Sequence, residues 1–183
     1  MSELRVETTS LTGLYLVHLQ VFPDTRGSFR EAYQAEKMEA LGLPKLGPVQ
    51  WNISENVRPG IVRGIHAEPW DKYVHVTAGA AFAVIADIHP DSPTFGQHET
   101  FRLDQTNALF ISKGLGNAYQ ALEINTVYCY LVNAHWKAGT TYPAIHYADP
   151  DLNIQWPLAP GSDDVSEKDQ KNPTLPEVFP KKY

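Results

Sequence analysis

Short runs rich in Val, Ile, Tyr, Phe and Thr recur about every ten residues along this chain, separated by turn-forming residues. The 183 residues include 14 prolines and 12 glycines, which interrupt any long helical periodicity. This punctuation predicts an all-β sandwich or barrel rather than alternating strands and helices. The predicted strands are residues 14–22, 28–33, 49–54, 61–66, 73–77, 82–88, 98–103, 108–112, 118–122 and 127–132.

Two neighbouring predicted strands, 73–77 and 82–88, are joined by the short turn Ala78-Gly79-Ala80. A connection of this length is typical of antiparallel strands that follow one another in a sheet. We therefore expect these two strands to pair as a central hairpin.

Helical periodicity is confined to residues 34–41, where Met38 and Leu41 share a face and Gly42 supplies a stop signal. After Trp156 the sequence is rich in Pro, Asp, Lys, Glu and Ser. We expect one domain over residues 1–183, in which about 157–183 form an irregular C-terminal strap with one helical turn at 166–169.

Charge and cysteine content narrow the classes of function. The chain has 15 Lys and Arg against 21 Asp and Glu, a net charge of -6, which argues against a nucleic-acid surface. Cys129 is the only cysteine, so a reducing compartment is expected. The longest weakly apolar stretch, 80–86, is far shorter than the roughly 20 residues of a membrane span. These features predict a cytoplasmic protein that binds neither nucleic acid nor membrane.

The densest cluster of ionisable residues is the segment 63–73, RGIHAEPWDKY, at the predicted end of a strand. Strand alternation predicts that Arg63 and Ile65 face one way and that Gly64 and His66 face the other. The segment is either a solvated strand end with a hydrogen-bonded histidine or an acid–base centre. In an acid–base centre the imidazole would remove a carbon-bound proton and an ammonium would stabilise the oxyanion.

The same segment resembles the first metal-binding motif of the cupin superfamily, whose jelly roll supplies two His and a Glu. Here Glu68 stands at the second ligand position and Lys72 at the Glu position, and Asn117 replaces the His of the second motif. An ammonium and an amide make a poor transition-metal site. The resemblance thus implies a metal-free, cofactor-free cupin-type jelly-roll β-sandwich with short peripheral helices. A metal-dependent cupin oxygenase is an alternative that those substitutions oppose.

Six segments in order resemble one family, the dTDP-4-dehydrorhamnose 3,5-epimerases. They are DTRGSFRE (24–31), QWNIS (50–54), RGIH (63–66), SPTFG (92–96), GLGN (114–117) and ADPDLNIQW (148–156). The resemblance implies epimerisation of dTDP-4-dehydro-6-deoxy-D-glucose at the carbons flanking the 4-ketone, giving dTDP-4-dehydro-L-rhamnose for dTDP-L-rhamnose biosynthesis. The alternatives are a single-site 3- or 5-epimerase of a related nucleotide 4-ketosugar and a non-catalytic sugar-nucleotide-binding cupin.

The resemblance also implies roles for four catalytic residues. His66 is the base, and Asp169 forms a His–Asp dyad with it, orienting the imidazole and favouring its charged form. Lys72 stands near the developing enolate oxygen. Tyr130 is the acid on the opposite face of the sugar ring. From the residues alone, Tyr130 is equally well a core aromatic in a strand, and Tyr128 shares its face.

Eight substrate-binding residues carry over in the same way: Arg26, Phe29, Glu31, Gln50, Asn52, Arg63, Asn117 and Trp136. The two arginines match contacts to the diphosphate, and the four residues Phe29, Glu31, Gln50 and Asn52 match the thymidine end. For Glu31 and Asn52, ordinary strand surface is the competing interpretation.

The chain also departs from the commoner family pattern. Asn117 stands where His is usual, Trp136 where Tyr is usual, and Ala83 where an acidic residue is frequent. The family implies a homodimer that exchanges its N-terminal strand region, so that Arg26 and Phe29 complete the partner's site.

Overall fold

Two antiparallel sheets face each other in the computed structural model, which describes residues 3–182. The six-stranded sheet contains, in spatial order, β1 (Arg5–Thr8), β2 (Leu14–His18), β10 (Asn107–Ile111), β7 (Lys72–Ala78), β12 (Thr126–Val132) and β5 (Gln50–Asn56). The four-stranded sheet contains β6 (Val62–His66), β11 (Leu115–Ala121), β8 (Ala81–Asp87) and β9 (His98–Leu103). A separate hairpin pairs β3 (Val21–Asp24) with β4 (Gly27–Arg30). The predicted all-β, cupin-type jelly roll is confirmed.

The main core lies between the two sheets. Alternate residues of the six-stranded sheet, such as Val74, Val76 and Tyr128, pack against Ala83 and Ile85 of the four-stranded sheet. This follows from the period of two along a strand, which sends every second side chain inward.

The predicted hairpin between residues 73–77 and 82–88 is wrong. Strand β7 pairs with β10 and β12, whereas β8 pairs with β9 and β11, so the short connection crosses from one sheet to the other. The turn packs tightly: a Cβ on Gly79 would lie 2.6 Å from the Thr126 hydroxyl. Both strands are buried along most of their length, so their composition does not distinguish a hairpin from a crossover.

The predicted helix is present as α1 (Ala35–Ala40). The Gln34 side chain caps it by accepting the Lys37 N–H, and Met38 is buried against the outer face of the six-stranded sheet. Leu41, which the helical pattern put on the same face, lies just past the helix and is largely exposed. The predicted strand 14–22 is divided into β2 and β3, and β1 was not predicted.

The C-terminal segment covers the outer face of the four-stranded sheet. It contains 3-10 turns at Ser162–Asp164, Asp169–Lys171 and Pro180–Lys182, together with α2 (Leu175–Val178). The helical turn predicted at 166–169 is displaced: the observed 3-10 turn begins at Asp169, the last residue of the predicted range. Within residues 3–182, no helix has the length and apolarity of a membrane span.

Candidate active site

One cavity of about 690 Å³ opens between the two sheets. Its walls come from β5, β7 and β12 on one side and from β6 and β11 on the other, and residues 163–169 of the C-terminal segment close its rim. The lining residues that the sequence singled out are Asn52, Arg63, His66, Glu68, Lys72, Asn117, Tyr128, Tyr130, Trp136 and Asp169. All four predicted catalytic residues thus meet in one cavity.

A β-bulge on β6 brings Arg63 and His66 to the same face. His66 is opposite Asn117 and Arg63 is opposite Tyr119, so three steps along β6 match two along β11. The bulge needs glycine, because Gly64 has φ +116° and a Cβ there would lie 2.6 Å from the Ala118 Cβ. The alternation predicted for this strand is therefore wrong. Ile65 turns away from Arg63 into the core beneath the C-terminal segment.

His66 and Asp169 form a dyad. The His66 Nε2–H donates to Asp169 Oδ1 at 2.7 Å, and the carboxylate is almost fully buried. Burial raises the pKa of Asp169, but the hydrogen bond and charge of His66 and the Gly64 N–H outweigh it, so the pKa lies below its usual value. An ionised carboxylate fixes the tautomer, which leaves Nδ1 of His66 as the nitrogen able to accept a proton.

Tyr130 stands on the wall that faces His66. It lies on β12 in the six-stranded sheet, whereas His66 lies on β6 in the four-stranded sheet. Burial, reinforced by the Glu68 carboxylate, raises the pKa of Tyr130 to about 12. The phenol is therefore protonated at neutral pH and has a proton to give.

The alternative tyrosine, Tyr128, is held in a packed environment. Its ring stacks on Tyr119 at 3.9 Å, its hydroxyl donates to Asn117 Oδ1 at 3.3 Å, and the residue is fully buried. Burial raises the pKa of Tyr128 far above its ordinary value. Of the two tyrosines, Tyr130 has the more accessible side chain.

Lys72 is a buried ammonium at the start of β7, and it pairs with the buried carboxylate of Glu68. Burial lowers the pKa of Lys72, and the Glu68 charge and hydrogen bond oppose that shift. Breaking such a pair by removing one partner costs about 3–5 kcal/mol, because the other charge is then left buried alone.

The residues at the cupin ligand positions do not suit a metal ion. The Lys72 ammonium has no lone pair, Glu68 is engaged by it, and the dyad already uses Nε2 of His66. Within the described part of the chain, no cluster of three or more His, Cys, Asp or Glu side chains has the arrangement of a metal site.

Three of the predicted binding residues do not line this cavity. Arg26 is exposed at the tip of the β3–β4 hairpin and pairs with Asp24 at 2.6 Å, and Phe29 is 66% exposed on β4. Glu31 follows β4 and pairs with Lys37 of α1 at 2.6 Å. A single chain therefore does not bring these three residues to the cavity.

The remaining predicted positions lie at or beside the cavity. The Gln50 side chain supports two lining residues: its Nε2 donates to Asn52 Oδ1, and its Oε1 accepts a hydrogen bond from the backbone N–H of Trp136. The Arg63 Nε donates a hydrogen bond to Asn56 Oδ1, and the same oxygen accepts a second hydrogen bond from the Tyr119 hydroxyl. Ala83, by contrast, is buried in the main core and does not line the cavity.

Sequence reasoning missed Tyr142, which lines the cavity from a loop. Its ring meets the His66 ring edge-on, with centroids 5.8 Å apart, and the Lys168 Nζ lies over the Tyr142 ring, 5.6 Å from its centroid. Strand alternation gives no signal for a residue outside the strands, so only the fold reveals this contact.

Comparisons with known proteins identify the family of this chain. The chain matches the family model of dTDP-4-dehydrorhamnose 3,5-epimerase over residues 8–177. It is 36% identical to the dTDP-4-dehydrorhamnose 3,5-epimerase of Streptomyces griseus, with 92% of this chain and 86% of that protein covered. It is 34% identical to the dTDP-4-dehydrorhamnose 3-epimerase of Streptomyces niveus, with coverages of 91% and 82%.

Among solved structures, RmlC from Streptococcus suis in complex with dTDP-D-xylose superposes with a TM-score of 0.90 at 34% identity, covering 98% of this chain and 95% of that one. The family match includes every residue that lines the cavity.

Proposed function

Because the chain belongs to the dTDP-4-dehydrorhamnose 3,5-epimerase family and is thus an isomerase, we propose that it converts dTDP-4-dehydro-6-deoxy-D-glucose to dTDP-4-dehydro-L-rhamnose. The reaction inverts both carbons that flank the 4-ketone and supplies dTDP-L-rhamnose biosynthesis. The observation that carries the proposal is the pairing of a His–Asp dyad on one cavity wall with a protonated tyrosine on the facing wall.

Each inversion proceeds in two proton transfers. Nδ1 of His66 removes the proton from the carbon beside the ketone, and the electron pair of that C–H bond moves into an enolate. The Lys72 ammonium stabilises the enolate oxygen, and Asp169 stabilises the imidazolium. The Tyr130 phenol then gives its proton to the other face of the same carbon, which restores the ketone with the opposite configuration. Solvent then takes the proton from His66 and returns one to Tyr130, so both groups are restored before the second inversion.

The test is proton NMR of the 4-keto-6-deoxyglucose nucleotide with the protein in deuterated water. Deuterium should enter at both flanking carbons, and the L-configured product should accumulate. Exchange at one carbon alone would identify a single-site epimerase, the activity named for the Streptomyces niveus relative. Binding of the nucleotide sugar without exchange would identify a non-catalytic module.

Tyr130→Phe is expected to separate proton removal from inversion. The variant keeps His66, Asp169 and Lys72, so the enolate still forms and is reprotonated from the side that the proton left. Solvent deuterium should therefore continue to enter at the carbon beside the ketone, while the inverted product falls far more steeply. Tyr128→Phe is the matched control, because it removes a phenol from the same strand face.

A parallel fall of exchange and inversion in Tyr130→Phe would make Tyr130 a packing or binding residue. Tyr128 or a bound water would then become the candidate acid.

Activity is expected to survive exhaustive chelation. The prediction follows from the pairing of Lys72 with Glu68 and from Asn117 at the remaining ligand position. Turnover is measured before and after treatment with EDTA and 1,10-phenanthroline, alongside a metal-dependent cupin treated in the same way. Inactivation that added metal reverses would contradict a metal-free mechanism.

We also propose a homodimer in which the β3–β4 hairpin reaches the partner's cavity. The hairpin pairs with neither large sheet, Phe29 is exposed at 66%, and Arg26 carries a side chain that is 87% exposed. Trp51 and Ile53 are also exposed, on the outer face of β5.

Two inactive variants should therefore complement each other when co-expressed with different tags. In an Arg26→Ala and His66→Asn heterodimer, one site keeps its own His66 and receives the partner's intact Arg26. The purified heterodimer should recover about half of the wild-type turnover, as expected for one intact site in a two-fold dimer. Activity no higher than that of either parental homodimer would contradict exchange of the hairpin.

A further inference from the structure

The loop between β6 and β7 holds Glu68 in a fixed position. The Glu68 carbonyl accepts the Gly114 N–H at 3.2 Å, and the preceding Ala67 N–H donates to Pro143 at 2.9 Å. At the other end of the loop, Asp71 exchanges two hydrogen bonds with Asn133, at 3.0 and 2.9 Å. The backbone that carries Glu68 is therefore fastened on both sides, and its carboxylate is held by the ion pair with Lys72.

Glu68 is the carboxylate that meets Lys72. Within residues 3–182, no other carboxylate lies within the 4.0 Å ion-pair distance of the Lys72 Nζ. Asp169, the other buried carboxylate of the cavity, is engaged by His66 instead. The cavity therefore contains two acid–base pairs, one on each wall.

Burial alone would favour a neutral lysine, which could not stabilise an enolate. Lys72 is only 3% exposed, and burial lowers its pKa. The Glu68 charge acts in the opposite direction, and it also raises the pKa of Tyr128, Tyr130 and Tyr142. One carboxylate thus favours the protonated form of each of these neighbours.

We propose that Glu68 is a positioning residue that keeps Lys72 protonated and directs its ammonium into the cavity. The inference rests on the proposed role of Lys72 at the enolate oxygen. Glu68 acts through Lys72 and touches no reacting atom.

The charge state of Lys72 tests this without any substrate. The protein is labelled with [ε-¹³C]lysine, and the Lys72 resonance is identified as the one missing from Lys72→Arg. In Glu68→Gln that resonance should titrate lower than in the wild type by about one pH unit or more, because the ammonium has lost its counter-charge. Glu68→Ala repeats the measurement if Glu68→Gln does not fold, since the space it leaves admits water beside the ammonium.

A matched control is Glu167→Gln, which removes the carboxylate of another i,i+4 pair with lysine, at the surface. It should leave the Lys72 titration unchanged. Equal Lys72 titration in the wild type and in the Glu68 variants would overturn the proposal.

The pH dependence of turnover gives a second, separate readout. In Glu68→Gln the activity should be lost at lower pH on the alkaline side, following the deprotonation of Lys72. Combining this change with Lys72→Arg should abolish that shift, because a guanidinium stays protonated throughout the range. A shift that persists in the double variant would show that Glu68 acts on another group.

The Lys72 titration and the deuterium-exchange assay test the role of Glu68 and the proposed function separately. Failure of the wild-type protein to exchange deuterium would reject the epimerase activity, while the Lys72 titration would still decide the role of Glu68.

Discussion

His66→Asn is expected to abolish deuterium exchange at both carbons that flank the ketone. One base is assigned to both inversions, and the cavity holds it on β6 with Nε2 bound to Asp169. Asparagine keeps a polar side chain but has no basic nitrogen, so the enolate cannot form. Proton NMR in deuterated water measures the two exchange rates separately.

Affinity for dTDP should change little in His66→Asn, because the predicted nucleotide contacts lie elsewhere on the chain. Calorimetric titration with dTDP checks this, and His98→Asn, on the outer edge strand β9, is a control that should exchange normally. Full exchange in His66→Asn would remove this residue from the role of base.

Asp169→Asn is expected to keep the fold but to slow turnover by about 10⁴-fold, the loss seen when an amide replaces the carboxylate of a comparable triad. The amide neither fixes the useful tautomer of His66 nor stabilises the imidazolium. Steady-state turnover of the nucleotide sugar measures the effect. An unchanged rate would make Asp169 a structural residue of the C-terminal segment.

The pH dependence of folding stability gives an independent test of the ionised state of Asp169. The pKa of Asp169 is lowered in the folded state from its ordinary value of 3.8, so ionised Asp169 stabilises the protein above that pH. This contribution is lost as the pH falls through the folded-state pKa. The difference in unfolding free energy between wild type and Asp169→Asn should therefore be largest near neutral pH and should shrink in acid.

Family membership and the all-β class followed from the sequence, because both depend on local features. Turn residues and β-rich runs mark where strands begin and end, and Gly42 is the stop signal that follows α1. The predicted roles of the site residues came from the resemblance, and they stay predictions until the variants are measured.

The features that the sequence did not predict depend on pairing between strands that are distant along the chain. The sequence pattern did not show that β7 and β8 join different sheets, since a strand buried on both faces carries no preference for one partner. Nor did alternation find the bulge at Gly64, because a bulge exists only relative to the opposing strand.

The sequence by itself determined which chemical groups this protein has and the order in which they occur. The family resemblance predicted that His66 pairs with Asp169, 103 residues later, and the structure places the two side chains 2.7 Å apart. The tertiary structure alone showed that Lys72 meets Glu68 and that Tyr142 meets the imidazole. The physical reason is that hydrogen bonds, ion pairs and desolvation act over a few ångströms in space, whatever the separation along the chain.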